Sequence, residues 1–178
     1  MRLAILFILS MAACCAPAQA EGLRHNWRQG DAEGAVQFVS NYPAPEPYSA
    51  TGEPEATLTM EASKVPAGMT LEDILKNELA DIGDGSLVIA DYVEKDGHKP
   101  DHNVVSYIEK IDGEKVAFIK YRVAGNTNGM LPEPRGVMHA ILLKGGKVYF
   151  FHLIVVYPAH LDEVRADQLT MVRSMIRR

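Results

Sequence analysis

The chain has 178 residues, with 18 Lys and Arg against 23 Asp and Glu, for a formal net charge of −5. That length suits one domain with a sizeable core, and the acidic balance excludes sequence-independent nucleic-acid binding, which needs a basic surface. Both cysteines, Cys14 and Cys15, fall within the first twenty residues, so the rest of the chain has no disulfide, thiol nucleophile or Cys-ligated zinc.

Residues 1–20 read as a secretory signal peptide. Met1-Arg2 is a short basic start, and the apolar run from Leu3 to Ala13 is broken only by Ser10. Ala18 and Ala20 are small residues at the spacing a signal peptidase requires, which predicts cleavage before Glu21 and a periplasmic or secreted protein. The run is too short to cross a bilayer, which takes ~20 apolar residues. Tyr149–Tyr157 is interrupted by His152 and followed by Pro158, so no transmembrane segment is expected. A rival reading takes Met11-Ala12-Ala13-Cys14 as a lipoprotein signal, which would anchor the domain through lipid on Cys14 or Cys15. Cleavage after Ala20 leaves 158 residues, 21–178, as a single domain; with Arg2 gone its charge is −6.

Ala35–Ser40 and Ala56–Ala62 have strand character. Pro43, Pro45, Pro47 and Pro54 lie between them, so 41–54 is expected to be an extended surface loop. A helix follows over Thr70–Ile82, with Thr70 as N-cap and Asp73 at the capping-box position. Leu71, Ile74, Leu75, Leu79 and Ile82 form its apolar stripe, and Gly83 is expected to stop it. Strands are then predicted over Ser86–Glu94, Asn103–Ile111, Lys115–Ala124, Val137–Lys144 and Lys147–Tyr157, with hairpin turns at Asp112-Gly113 and Gly145-Gly146. A closing helix over Pro158–Arg177 places Leu161, Val164, Gln168, Leu169, Val172, Met175 and Ile176 on one face, with Arg165, Asp167 and Arg173 opposite. The terminal Arg177-Arg178 complements the negative end of that helix.

In the last hairpin Val137, Ile141 and Leu143 alternate with Met138, Ala140 and Leu142, so both faces are apolar and both need cover. The expected fold is α+β: an antiparallel sheet with amphipathic helices packed on both faces, helix on sheet on helix.

Over Met69–Arg178 the chain resembles the PsbP-like superfamily, the fold of the photosystem II extrinsic subunit and of many small exported bacterial proteins. The likeness lies in the order and spacing of the helix Thr70–Ile82, the meander, Gly146-Lys147-Val148-Tyr149-Phe150-Phe151 running into His152–Tyr157, and Asp162–Ile176 with Ser174 near its end. The N-terminal part departs: the Tyr-Pro…Trp segment that such proteins often carry is missing, and Trp27 lies too early. The resemblance implies an α/β/α sandwich and a binding or assembly module without catalysis. It assigns no functional residues.

Three groups of residues could carry chemistry. A two-residue turn at Gly145-Gly146 sets Lys144 opposite Lys147 and, further along, His139 opposite His152, with Cβ atoms ~5 Å apart. Two imidazoles so placed can share a metal or a proton; the bland alternative is a neutral pair buried under a helix beside Ile141, Phe150 and Ile154. The turn Asp96–Asn103 holds Asp96, His98, Asp101 and His102, ligand types that suit zinc, copper or nickel, though turns are commonly rich in such residues. The loop Gly125–Gly136 presents Asn126, Asn128, Met130, Leu131 and Arg135, either as a contact surface for a protein partner or as an irregular connector. There is no Gly-x-Ser-x-Gly elbow, no P-loop and no Gly-x-Gly-x-x-Gly after a strand. The expected function is an exported, non-enzymatic domain acting on a protein partner in the periplasm, with no cofactor. The alternative is a small-ligand or divalent-metal binder, or a weak hydrolase, built on His139 and His152.

Overall fold

The computed structural model describes residues 27–30, 34–41, 54–84, 104–123, 135–156 and 158–178. The predicted strand Ser86–Glu94, the Asp96–Asn103 turn and residues 1–20 lie outside these. The described residues form seven strands: β1 (Trp27–Gln29), β2 (Val36–Ser40), β3 (Ala56–Lys64), β4 (Val105–Ile111), β5 (Glu114–Val123), β6 (Arg135–Lys144) and β7 (Lys147–Val155). Helix α1 (Leu71–Asp84) follows β3, and helix α2 (Leu161–Ile176) follows β7 through a short 3-10 turn at Pro158–His160. The strands make one sheet in the order β1-β2-β3-β7-β6-β5-β4, with every neighbouring pair antiparallel. The fold is α+β, as the sequence pattern predicts.

Both predicted hairpin turns set the register. Asp112 and Gly113 sit at φ 48° and 93°, and Gly145 and Gly146 at φ 59° and 73°. Two consecutive residues with positive φ are the signature of a turn whose twist matches that of the strands it joins. Ile111 therefore opposes Glu114, and Lys144 opposes Lys147.

β6 is buried along most of its length regardless of side-chain direction: Val137, Met138, Ala140, Ile141 and Leu142 are all at most 1% exposed. The buried apolar residues separate into two clusters by parity along the strands. One joins Val116, Phe118, Met138, Ala140, Leu142, Phe151 and Leu153 to Leu161, Val164, Met171 and Val172 of α2. The other joins Ala117, Ile119, Tyr121, Val137 and Ile141 to Leu71, Ile74 and Ile82 of α1. Successive side chains of a strand point to opposite faces, so the two clusters take alternate residues of β5 and β6.

The start of α1 is the predicted capping box. The Thr70 amide donates to Asp73 Oδ2 at 3.0 Å, and the Asp73 amide donates to Thr70 Oγ1 at 3.1 Å. Hydrogen bonds from the Thr70 hydroxyl, at 2.6 Å, and then from the Thr70 amide hold the Asp73 carboxyl below its usual range. The helix does not stop at Gly83 but runs through it to Asp84. A glycine inside a helix costs only ~1 kcal/mol relative to alanine and does not end one by itself.

The sequence pattern misplaces Asp167, which it assigns to the solvent side of α2. Asp167 is fully buried and accepts a 2.7 Å hydrogen bond from the Trp27 indole Nε1. The cause is β1, a three-residue strand too short to show alternation, which pairs with β2 and carries the indole to α2. Gln168 beside it is also fully buried, and its amide donates to the main-chain carbonyls of Met138 at 2.9 Å and Phe151 at 2.7 Å, fixing α2 across β6 and β7. Lys144 Nζ donates to the last carbonyls of α2, those of Met175 and Ile176, where a cation also meets the negative end of the helix. Arg177 pairs with Asp112 of the β4–β5 turn at 3.2 Å. Exposed pairs of this kind orient elements more than they stabilise them.

Trp27→Phe keeps the ring and removes the N–H that Asp167 accepts. A hydrogen bond to a buried charged group contributes about 1.5–3 kcal/mol, so the urea unfolding midpoint should fall by a corresponding amount. A midpoint equal to the wild type's would show that the indole does not hold α2.

Candidate functional site

The two-residue turn places His139 directly opposite His152, as the sequence predicts. Ile119 on β5 opposes His139 from the other side, and Thr59 on β3 opposes His152. Ile119, His139, His152 and Thr59 thus form one row across four strands. His139 lies between Val137 and Ile141 on its strand face, both members of the α1 cluster. Its ring centroid is 4.6 Å from that of His152, with the planes nearly perpendicular at 85°. Phe150 lies parallel to the His152 ring, with centroids 5.8 Å apart and planes 9° apart.

His139 is 1% exposed, whereas His152 is half-buried. His139 Nε2 shares a 3.2 Å hydrogen bond with the Tyr121 hydroxyl, while Nδ1 is buried with no partner among the described residues. A neutral imidazole has one N–H and one bare nitrogen, so whichever tautomer is present, one polar atom of this ring is unmatched. Burial pushes the His139 pKa well below its ordinary value of 6.5, and the neighbouring His152 adds to that. Burial also lowers the pKa of His152, against the opposing pull of Glu61 on β3. The Tyr121 hydroxyl is pushed up, by burial first and by the Glu78 carboxylate of α1 second. Glu78 is itself raised by burial, with Asp81 and Glu61 contributing. The site therefore holds two neutral imidazoles and a neutral phenol, with acidic groups at its margin.

Chemically, this arrangement can exchange protons or offer two nitrogen ligands. A zinc site needs at least three protein ligands, and among the described residues no group of three His, Cys, Asp or Glu could hold a metal ion. Asp96, His98, Asp101 and His102 lie outside the described residues, as do Asn126, Asn128, Met130 and Leu131. Arg135 belongs to strand rather than loop: β6 begins there, two residues before the predicted start, and Arg135 opposes Val123. The structure thus brings His139 and His152 together. It also adds Tyr121, Glu61 and Glu78, which reasoning from sequence missed. No short turn fixes β5 against β6, and β3 and α1 are distant in sequence, so only the register of the folded sheet brings these residues in.

No protein-family model matches the chain, and the curated proteins give no significant match. Solved structures do match. Cyanobacterial PsbP (CyanoP) from Synechocystis sp. PCC 6803 is 18% identical over 83% of this chain and 79% of its own, with a TM-score of 0.52. A protein of unknown function from Pseudomonas aeruginosa is 12% identical over 82% of this chain and 95% of its own, at a TM-score of 0.47. The chain has a PsbP-like fold. Identity this low carries the fold and no activity.

Tyr121→Phe deletes the hydroxyl and leaves His139 with no hydrogen bond to that ring. The expected loss is about 1–3 kcal/mol of unfolding free energy, read from urea denaturation at pH 7.5. A stability within ~0.3 kcal/mol of the wild type would mean the bond is not formed in solution.

Proposed function

We propose that this protein is an exported, non-catalytic domain that works by binding a protein partner. The observation that carries the reading is the burial of the inner histidine of the pair: His139 is 1% exposed and neutral. A catalytic base must reach its substrate, and this one faces a helix cluster. The PsbP-like fold supports an accessory or binding role, and the sequence of residues 1–20 supports export with cleavage after Ala20. Residues 21–178 act as one domain in this reading, layered with α1 against one face of the sheet and α2 against the other. The two parity-separated clusters support that layering.

The proposed contact surface is the connection between Val123 and Arg135, with Asn126, Asn128, Met130, Leu131 and Arg135. Two apolar residues set between Asn and Pro suit recognition, because loops held by a rigid sheet are free to vary. Photo-crosslinking tests this. With a reactive side chain at position 130 or 131, a discrete protein adduct should form in the periplasm, and Arg135→Glu should reduce it about tenfold. A control at Asn77 on the exposed side of α1 should give none. Equal adducts at all three positions, or none at any, would sink the assignment.

The alternative, a metal-binding protein using His139 and His152, predicts stoichiometric zinc, copper or nickel binding that is lost when both become Gln. We expect calorimetry to give no stoichiometric binding at this pair, because His139 is buried and two imidazoles fall short of the three protein ligands a zinc site needs. Binding abolished by the double substitution would overturn this expectation.

A further inference from the structure

His139 is an unusual residue to find at the centre of a sheet. The positions around it, Val137, Ile141 and Ile119, are filled by apolar side chains, and its Nδ1 has no partner among the described residues. A valine or isoleucine there would remove that cost. The residue across the strand is a second histidine, ring against ring at 4.6 Å. What the pair can do is answer to pH.

The groups facing the pair come from every element around it. β5 supplies the Tyr121 hydroxyl, 3.2 Å from His139 Nε2. β3 supplies Glu61, whose charge favours protonation of His152. α1 supplies Glu78, which acts on Tyr121, and Asp81, which acts on Glu78. Glu61 is exposed and reaches only the outer member of the pair. Glu61 offsets only part of the burial cost of a proton on His152, and one on His139 would sit in the apolar cluster beside a second cation.

We propose that His139 and His152 form an acid-operated latch for helix α1: neutral, they fit beneath it, and protonated, they drive it from the sheet and uncover the face formed by Ala117, Ile119, Val137 and Ile141. The helix that yields is α1 and not α2, because the two are held differently. α2 is tied through buried polar bonds, with Gln168 to two strand carbonyls and Asp167 to Trp27. α1 packs through its apolar stripe, and its ion pair between Lys115 and Glu72 is exposed. Its last turn holds no basic residue, so its own charges work against the helix dipole there.

The sign of the effect follows from proton counting. Each histidine has a lowered pKa when α1 is closed and regains its ordinary 6.5 when exposed. The open state then binds up to two protons more than the closed one. Above pH 6.5 the histidines do not shift the balance between closed and open, and below it the open-to-closed ratio grows by up to about a hundredfold per pH unit. Glu78 acts in the opposite sense. Its pKa is raised in the closed state, so its protonation favours closure, and the rise in opening becomes shallower while Glu78 titrates.

Hydrogen exchange of the intact protein between pH 7.5 and 5.5, corrected for the intrinsic pH dependence of amide exchange, tests the latch. Amides of residues 71–84 should exchange ever faster below pH 6.5, while those of 161–176 should not follow. In the double variant His139→Gln, His152→Gln the acceleration should vanish. If that variant fails to fold, His152→Gln alone decides the matter, because removing one of two protons reduces the dependence to about tenfold per pH unit. Exchange that rises equally in both helices, that does not rise at all, or that rises in His152→Gln as steeply as in the wild type would overturn the proposal.

Discussion

The two glycines at φ 59° and 73° between β6 and β7 hold Lys144 opposite Lys147, and each pair beyond them follows by counting. This hairpin lies at the middle of the sheet, with β3 bound to the outer side of β7 and β5 to the outer side of β6. Its register therefore decides which side chains of four strands share a face. A slip of one residue would send His139 and His152 to opposite faces and exchange the two apolar clusters along β6. Because β6 is apolar and buried on both sides, its hydrophobic pattern does not distinguish the two registers, and the two-glycine turn is what fixes the alignment.

The two clusters are not equivalent. The one containing α2 is crossed by specific polar contacts, since Gln168 and Asp167 are both fully buried inside it. Buried polar groups must find partners, so they admit few alternative placements of the helix. The one containing α1 meets the sheet mainly through apolar side chains, with Tyr121, His139 and His152 on the sheet and Glu78 on the helix as its polar groups. Apolar contact fixes position loosely and is not directional. The same fold thus carries one helix fastened by geometry and another fastened by area, which is a physical basis for motion in one and not the other.

The PsbP-like fold sets the context for these details without determining a role. Similarity at 18% identity reports a shared solution to covering an antiparallel sheet, and function resides in the sites a given chain places on it. Here the conspicuous chemistry lies on one face of the sheet, on β6 and β7.

Local signals made much of this architecture readable from the chain. Thr70 and Asp73 announced a helix start, Asp112-Gly113 and Gly145-Gly146 announced two hairpins, and the second of these was enough to pair His139 with His152. Each is a short-range rule, in which a few neighbouring residues satisfy their own backbone. What the chain alone did not determine depends on contacts between distant segments. β1 is too short to show a period, so Trp27 and the burial of Asp167 emerged only when the strand was seated beside β2. Tyr121, Glu61 and Glu78 joined the histidines because β5, β3 and α1 converge there, and no turn between them fixes that convergence. Local conformation follows from neighbouring residues, whereas the environment of a buried polar group is set by whatever the rest of the chain brings against it.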